Sequence, residues 1–148
     1  MHLTRYSDYS LRVLIFLAAK GQENSTIPEI AGAYGISRTH LTKVVQLLGQ
    51  LGYVLTVRGR GGGLTLAMDP SQIRIGQVLR RTEESFALVD CLSSELPGAR
   101  LCKITPACKL KGVLAEALQA FLGVLDQYTL ADIVHGRVAS LRHLLRLA

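Results

Sequence analysis

Thr26-Ile27-Pro28-Glu29-Ile30-Ala31-Gly32-Ala33-Tyr34-Gly35-Ile36-Ser37-Arg38-Thr39-His40-Leu41-Thr42-Lys43 is the run that sets the fold. Thr26 and Glu29 stand at the spacing of a capping box, so a short helix starts there and ends near Tyr34. Gly35 makes the turn, Ile36 packs, and Ser37 caps a second helix reaching about Gln50. On that helix Leu41, Val44, Val45, Leu48 and Leu51 share one face. Two short helices joined by a tight glycine turn make a helix-turn-helix. Its second helix offers Arg38, Thr39, His40 and Lys43 at the end that meets base edges in a major groove. An ordinary helical hairpin with a solvated polar face is the plainer alternative.

Downstream, Tyr53 to Arg58 and Leu64 to Met68 read as two strands around a glycine-rich tip, Gly59-Arg60-Gly61-Gly62-Gly63. A helix-turn-helix followed by a hairpin is a winged helix. Arg58 and Arg60 then become candidates for the minor groove or the phosphate backbone. A nucleotide-binding phosphate loop would need a Gly-Lys-Ser/Thr ending that opens a helix, and these glycines open a strand instead.

Upstream, Ser7 can cap a helix from Asp8 to Lys20, closed by Gly21, with Leu11, Leu14, Ile15 and Ala18 as its inner stripe. Asp8 in a first turn is favoured by the helix dipole without further purpose. Arg12 and the 3.6-residue period argue for a folded helix over a signal peptide. The chain has 148 residues, 49% of them apolar, and a formal net charge of +6. Residues 1–81 carry ten Lys/Arg against four acids, and residues 82–148 carry seven of each. The excess therefore sits on the N-terminal part, which points to a polyanion, double-stranded DNA above all. No run approaches the roughly 18 apolar residues of a membrane span. Three cysteines without a convincing export signal suggest a cytoplasmic setting.

Beyond Asp69-Pro70, a helix from Ile75 to about Glu84 turns Ile75, Val78 and Leu79 inward. Cys91, Cys102 and Cys108 follow, and three cysteines cannot all pair. Thr105-Pro106-Ala107-Cys108 reads as an N-cap with proline at the first helical position, placing Cys108 in a first turn. Open N–H groups there, with Arg100, Lys103 and Lys109, favour a thiolate. Soft thiolates so held suit an iron–sulfur cluster, and three ordinary thiols in a loop are the alternative. The long helix from about Pro106 to Gln127 carries an apolar stripe wide enough to pack partly on a second subunit. The tail from His135 to Ala148 has the leucine spacing of a helix.

With these residues assembled, the chain resembles a winged-helix repressor family that includes the cluster-assembly regulator IscR, and within it the nitric-oxide-sensitive branch. The likeness rests on Leu3-Thr4 with Ser7-Asp8-Tyr9, Gly35-Ile36-Ser37-Arg38 with His40 and Lys43, Val57-Arg58-Gly59 with Gly62-Gly63, and Ile73-Arg74-Ile75-Gly76. Two further blocks, Cys102-Lys103-Ile104-Thr105-Pro106-Ala107-Cys108 and Leu125-Asp126 with Tyr128 to Asp132, are the specific ones. The resemblance implies a homodimer on a palindromic operator, with an iron–sulfur cluster, most often [4Fe–4S], on each subunit. Its ligands would be Cys91, Cys102 and Cys108, completed by Asp8 from the partner chain. Nitric oxide would attack the cluster and lift repression. The gap from Cys91 to Cys102 is longer than the family's usual one. The IscR branch has a histidine where Lys111 stands here, which argues against its [2Fe–2S] type.

The expected architecture is therefore mainly α: a winged helix-turn-helix with a two-stranded wing over residues 1–84, a cysteine loop over 85–109, a dimerisation helix region over 106–135 and a tail over 136–148. No catalytic residue is assigned. Rival functions are a winged-helix regulator sensing redox state through thiols, one whose cluster answers oxygen or iron supply, and an electron-transfer protein docking through its basic face.

Overall fold

The computed structural model describes residues 2–57, 59, 61–93 and 102–147. Helix α1 spans Arg5–Lys20, α2 Ile27–Tyr34 and α3 Arg38–Gln50. Strands β1 (Val54–Val57) and β2 (Gly63–Leu66) form an antiparallel hairpin, with Val54 opposite Leu66 and Val57 opposite Gly63. Helix α4 covers Ile75–Thr82, α5 Lys109–Asp126, α6 Leu130–Val134 and α7 Val138–Leu144. The winged helix is thus present as expected.

Its local signals act as their chemistry requires. The capping box forms reciprocally between Thr26 and Glu29, and Gly35 takes the left-handed conformation at φ 64° that only glycine adopts without strain. Leu41, Val44, Val45 and Leu48 are buried on α3. Ser37 occupies the N-cap position of α3, though its side chain makes no capping bond.

Helix α1 departs from expectation in two ways. Thr4, not Ser7, is its N-cap: the Thr4 hydroxyl accepts from the Ser7 N–H, and Ser7 turns inward to share a 2.7 Å buried hydrogen bond with the Thr82 hydroxyl of α4. Its burial also exceeds one stripe. Val13, Leu14, Phe16, Leu17 and Ala19 are buried, while Leu11, Ile15 and Ala18 are only partly so. The cause is topological, since α3, α4, α6 and α7 all pack around α1.

The chain's far end supplies two of those neighbours. After α5 the backbone pairs again with the start of α4, the Ile75 N–H donating to the Tyr128 carbonyl and the Leu130 N–H to the Ile73 carbonyl. A second capping box, Thr129 with Asp132, opens α6. Helix α7 then lies on α1, Leu145 enters the core, and the Arg142 guanidinium reaches the carbonyls of Ala19 and Lys20. The leucine-spaced tail is therefore a helix that completes the core around α1.

Helix α5 is the exception to this compactness. One side rests on α4, yet only Leu122 of its 18 residues is buried, and Leu110, Val113 and Val124 are 61%, 59% and 54% exposed.

Candidate nucleic-acid interface and cysteine site

On the first turns of α3, Arg38, Thr39, His40 and Lys43 are all exposed while Leu41 and Val44 anchor the helix from behind. Four of the six expected DNA-contacting residues thus share one accessible helix end. Arg58 and Arg60 lie outside the described residues. The hairpin is tied at its tip, where the Asn24 side-chain amide donates to the Gly61 carbonyl at 2.8 Å, and just below the tip by the pairing of Ser25 with Leu64.

Beside that helix end is a cleft of about 250 Å³ lined by Arg5, Tyr6, Tyr9, His40, Lys43 and Val44. The rings of Tyr9 and His40 stand 6.5 Å apart in a tilted arrangement. Sequence reasoning passed Arg5 over. With the helix read as starting at Asp8, no local signal marked Arg5; the packing of α1 against α3 brings it beside His40 and Lys43.

Asp8 faces elsewhere, accepting a 2.9 Å hydrogen bond from Arg12 Nε in a half-exposed pair four residues apart on α1. The bond to Asp8 holds the Arg12 guanidinium in its charged form more firmly than usual. The same guanidinium lies 5.8 Å over the ring of Tyr34, whose hydroxyl burial pushes up to about 12.

At the cysteine site, Cys91 is half-buried in a 3-10 turn over Asp90–Leu92 that packs against α5. Cys102 is exposed, and its carbonyl accepts from the Thr105 N–H at 2.8 Å. Cys108 differs from expectation. Thr105–Ala107 form a separate 3-10 turn, and Cys108, extended at φ −82° and ψ 103°, is the N-cap of α5 instead of a first-turn residue. Its side chain makes no capping bond, so the leading N–H groups of α5 have no side-chain acceptor from it. The Thr105 hydroxyl is buried and has no hydrogen-bond partner among the described residues. All three thiols are free of disulfides.

Those features fit a sulfur-ligated anionic group in their chemistry: unpaired thiols, a helix N-terminus, Lys103 and Lys109 alongside, and an orphaned hydroxyl with a proton to donate. Among the described residues no three His, Cys, Asp or Glu converge on one point. Residues 94–101, which join Cys91 to Cys102, lie outside the described residues.

From this end, α5 is fastened to the winged helix at its other. Both terminal guanidinium nitrogens of Arg80, Nη1 and Nη2, donate to the Asp126 carboxylate, at 2.5 and 2.7 Å, and Arg74 donates to the Asp126 carbonyl at 2.9 Å. Gly76 leaves room for that clamp; a Cβ there would lie 2.0 Å from Asp126 Oδ1.

A winged helix that exposes Arg38, Thr39, His40 and Lys43 at the start of α3 is the fold of a DNA-binding regulator, and the chain belongs to the Rrf2 family of iron-dependent transcriptional regulators, matched over residues 3–136. It is 56% identical over 138 residues to the HTH-type transcriptional regulator NsrR of Bacillus subtilis (strain 168), covering 93% of this chain and 92% of that one. Against the NsrR of Geobacillus kaustophilus (strain HTA426) it is 52% identical over 147 residues, 99% of this chain and 97% of the relative. Among solved structures, the global cysteine regulator CymR of B. subtilis superposes with a TM-score of 0.71 at 27% identity, covering 90% of this chain and 95% of that one. IscR of T. potens, at 24% identity and a TM-score of 0.70 over 90% of this chain and 86% of its own, shares the fold. The family and the two NsrR relatives are named as transcriptional regulators, which are not enzymes. No described helix is long and apolar enough to cross a membrane.

Proposed function

We propose that the protein represses transcription as a homodimer on a palindromic operator, and that nitric oxide lifts repression by attacking an iron–sulfur cluster, [4Fe–4S] in type. Cys91, Cys102 and Cys108 would hold the cluster, with Asp8 of the partner subunit completing the set. When bound, the group supplies an iron whose oxygen ligand is weaker than thiolate and so is open to a diatomic gas. The observation that carries this reading is the conjunction at the N-terminus of α5: free thiols, an uncapped helix end and the unpartnered Thr105 hydroxyl.

The chain's own residues do the rest. Cys108 would place its sulfur where the N–H groups of α5 favour negative charge, and Thr105 would donate its hydroxyl proton to sulfur. The uncovered side of α5, with Leu110, Val113 and Val124, supports pairing with a second copy, because an apolar face of this length is stabilised by removal from water. Contacts run from the cysteine end of α5 through the Arg80–Asp126 clamp to α4, through the Ser7–Thr82 bond to α1, and from α1 to α3. Asp8 sits on α1 within that path, so its engagement by the partner's cysteine site would bias the DNA-reading unit.

Anaerobic purification should give a brown protein with about four iron and four sulfide per chain, whose operator affinity falls as nitric oxide is added. Affinity unchanged by nitric oxide would remove the sensing role. The exposed, unpaired Cys102 favours one second reading, a thiol–disulfide switch. That reading requires a colourless protein, after thorough reconstitution, whose operator binding responds to dithiol reductant.

A further inference from the structure

We infer that the cleft between the first turns of α1 and α3 is a seat for a phosphate of the operator backbone, with Arg5 as its principal donor. This rests on α3 being the helix that enters the groove. Arg5 and Lys43 bring two cations to the lining, beside Tyr6, Tyr9, His40 and Val44; among the described residues no carboxylate lines the cleft. Asp8, one turn beyond Arg5, is bonded to Arg12 and takes no part in it. Two cations at the rim of a mostly apolar cleft, with no acid among its lining residues, favour an anion.

Arg5 is the first residue of α1, where aligned peptide dipoles repel a cation and attract an anion. Asp8 in the same turn and the Glu83 carboxylate at Thr4 already offset that repulsion, so the case for a phosphate rests on the cations that line the cleft. Position commits the occupant to DNA. His40 and Lys43 belong both to the cleft and to the exposed end of α3, so a duplex read by Arg38 and Thr39 brings its own backbone to this point. Tyr9 packed beside the His40 ring holds the imidazole at the cleft's edge. Contacts of this kind set register and strength and carry no sequence information.

Operator binding by anisotropy across a potassium chloride series tests it, using the wild-type dimer, Arg5→Ala, Arg5→Lys and Arg38→Ala, each with operator and with an unrelated duplex. Each lost phosphate contact flattens the log–log salt slope by roughly 0.9, so Arg5→Ala should flatten it by about 1.8 for two half-sites. The ratio of operator to unrelated affinity should stay as in the wild type, and Arg5→Lys should restore most of the slope. An unchanged slope for Arg5→Ala, with an unchanged melting temperature, overturns the proposal. So does a loss of specificity ratio without a change in slope, which would make Arg5 a base contact. If instead Arg38→Ala leaves the ratio intact while Arg5→Ala flattens the slope, the phosphate seat stands and the assignment of base reading to Arg38 fails.

Discussion

Replacing Asp8 by alanine separates a ligand from a structural acid, because the structure makes the structural cost small. Among the described residues Asp8 pairs with Arg12, four residues on along the same helix, with both side chains a little over 40% exposed. Pairs of that geometry and exposure contribute about 0.3–0.5 kcal/mol. An acid in the first turn of a helix adds about 0.3–1 kcal/mol more through the dipole. The metal-free variant should therefore lose only about 1 kcal/mol. For a chain near 150 residues that lowers the melting temperature by about 2–4 °C. Variant and wild type must be compared at one protein concentration, since the proposed dimer would make the midpoint depend on it.

The same weakness makes the carboxylate available: giving up Arg12 costs little against a bond to iron. In the cluster-loaded protein Asp8→Ala should accordingly alter the visible spectrum and shorten the lifetime of the colour under chelator. Asp8→Asn keeps the shape and tests the charge. A metal-free Asp8→Ala protein destabilised by several kcal/mol would show a structural role instead. A colour of wild-type spectrum and lifetime would take Asp8 out of the site.

The other expectations concern separate parts of the molecule. Arg38→Ala should cost roughly 1–3 kcal/mol in operator affinity and relax discrimination at the base pair it contacts, measured against single-substitution operators. Cys102→Ala and Cys108→Ala should each abolish the colour while leaving the metal-free melting curve near wild type, because one thiol is exposed, the other half-buried and neither in the core. Circular dichroism with absorption reads both. The hydrogen bonds from Arg80 hold the Asp126 carboxyl below its ordinary range. A depressed folded-state value contributes stability that is present above the unfolded-state value of about 3.9 and lost as pH falls through the folded one. Urea midpoints of the metal-free protein should thus drop in acid, and Arg80→Gln should shrink that drop; an identical acid limb would exclude the clamp.

What the sequence made legible was whatever is decided within a few residues. The capping box at Thr26 and Glu29, the left-handed Gly35 and the periodic face of α3 are local, and each is found in place. The surroundings of α1 were not legible, because a helix packed by α6 and α7 from the far end of the chain shows no single stripe. Ser7 looked like a cap because it is a serine before an apolar run. It is buried because Thr82, 75 residues later, offers its hydroxyl a partner. Cys108 shifted from the first turn to the N-cap because the 3-10 turn over Thr105–Ala107 ends before α5 begins.

For the site, the recognition end of α3 followed from polar residues opposite an apolar face, and the thiols from simple inventory. Asp8 as a ligand came from family resemblance alone: its chemistry in a single chain is that of any first-turn acid paired with an arginine. Arg5 needed the cleft, since only the packing of α1 against α3 shows it beside His40 and Lys43.

The decisive comparison is operator affinity of one dimer preparation in three states, without oxygen: cluster-loaded, cluster-loaded then exposed to nitric oxide, and metal-free, with absorption recorded in the same cuvettes. Tight binding in the first state and weak binding in the other two is the expected pattern. Equal affinity in all three would mean that the thiols at the head of α5 have no hold over the winged helix.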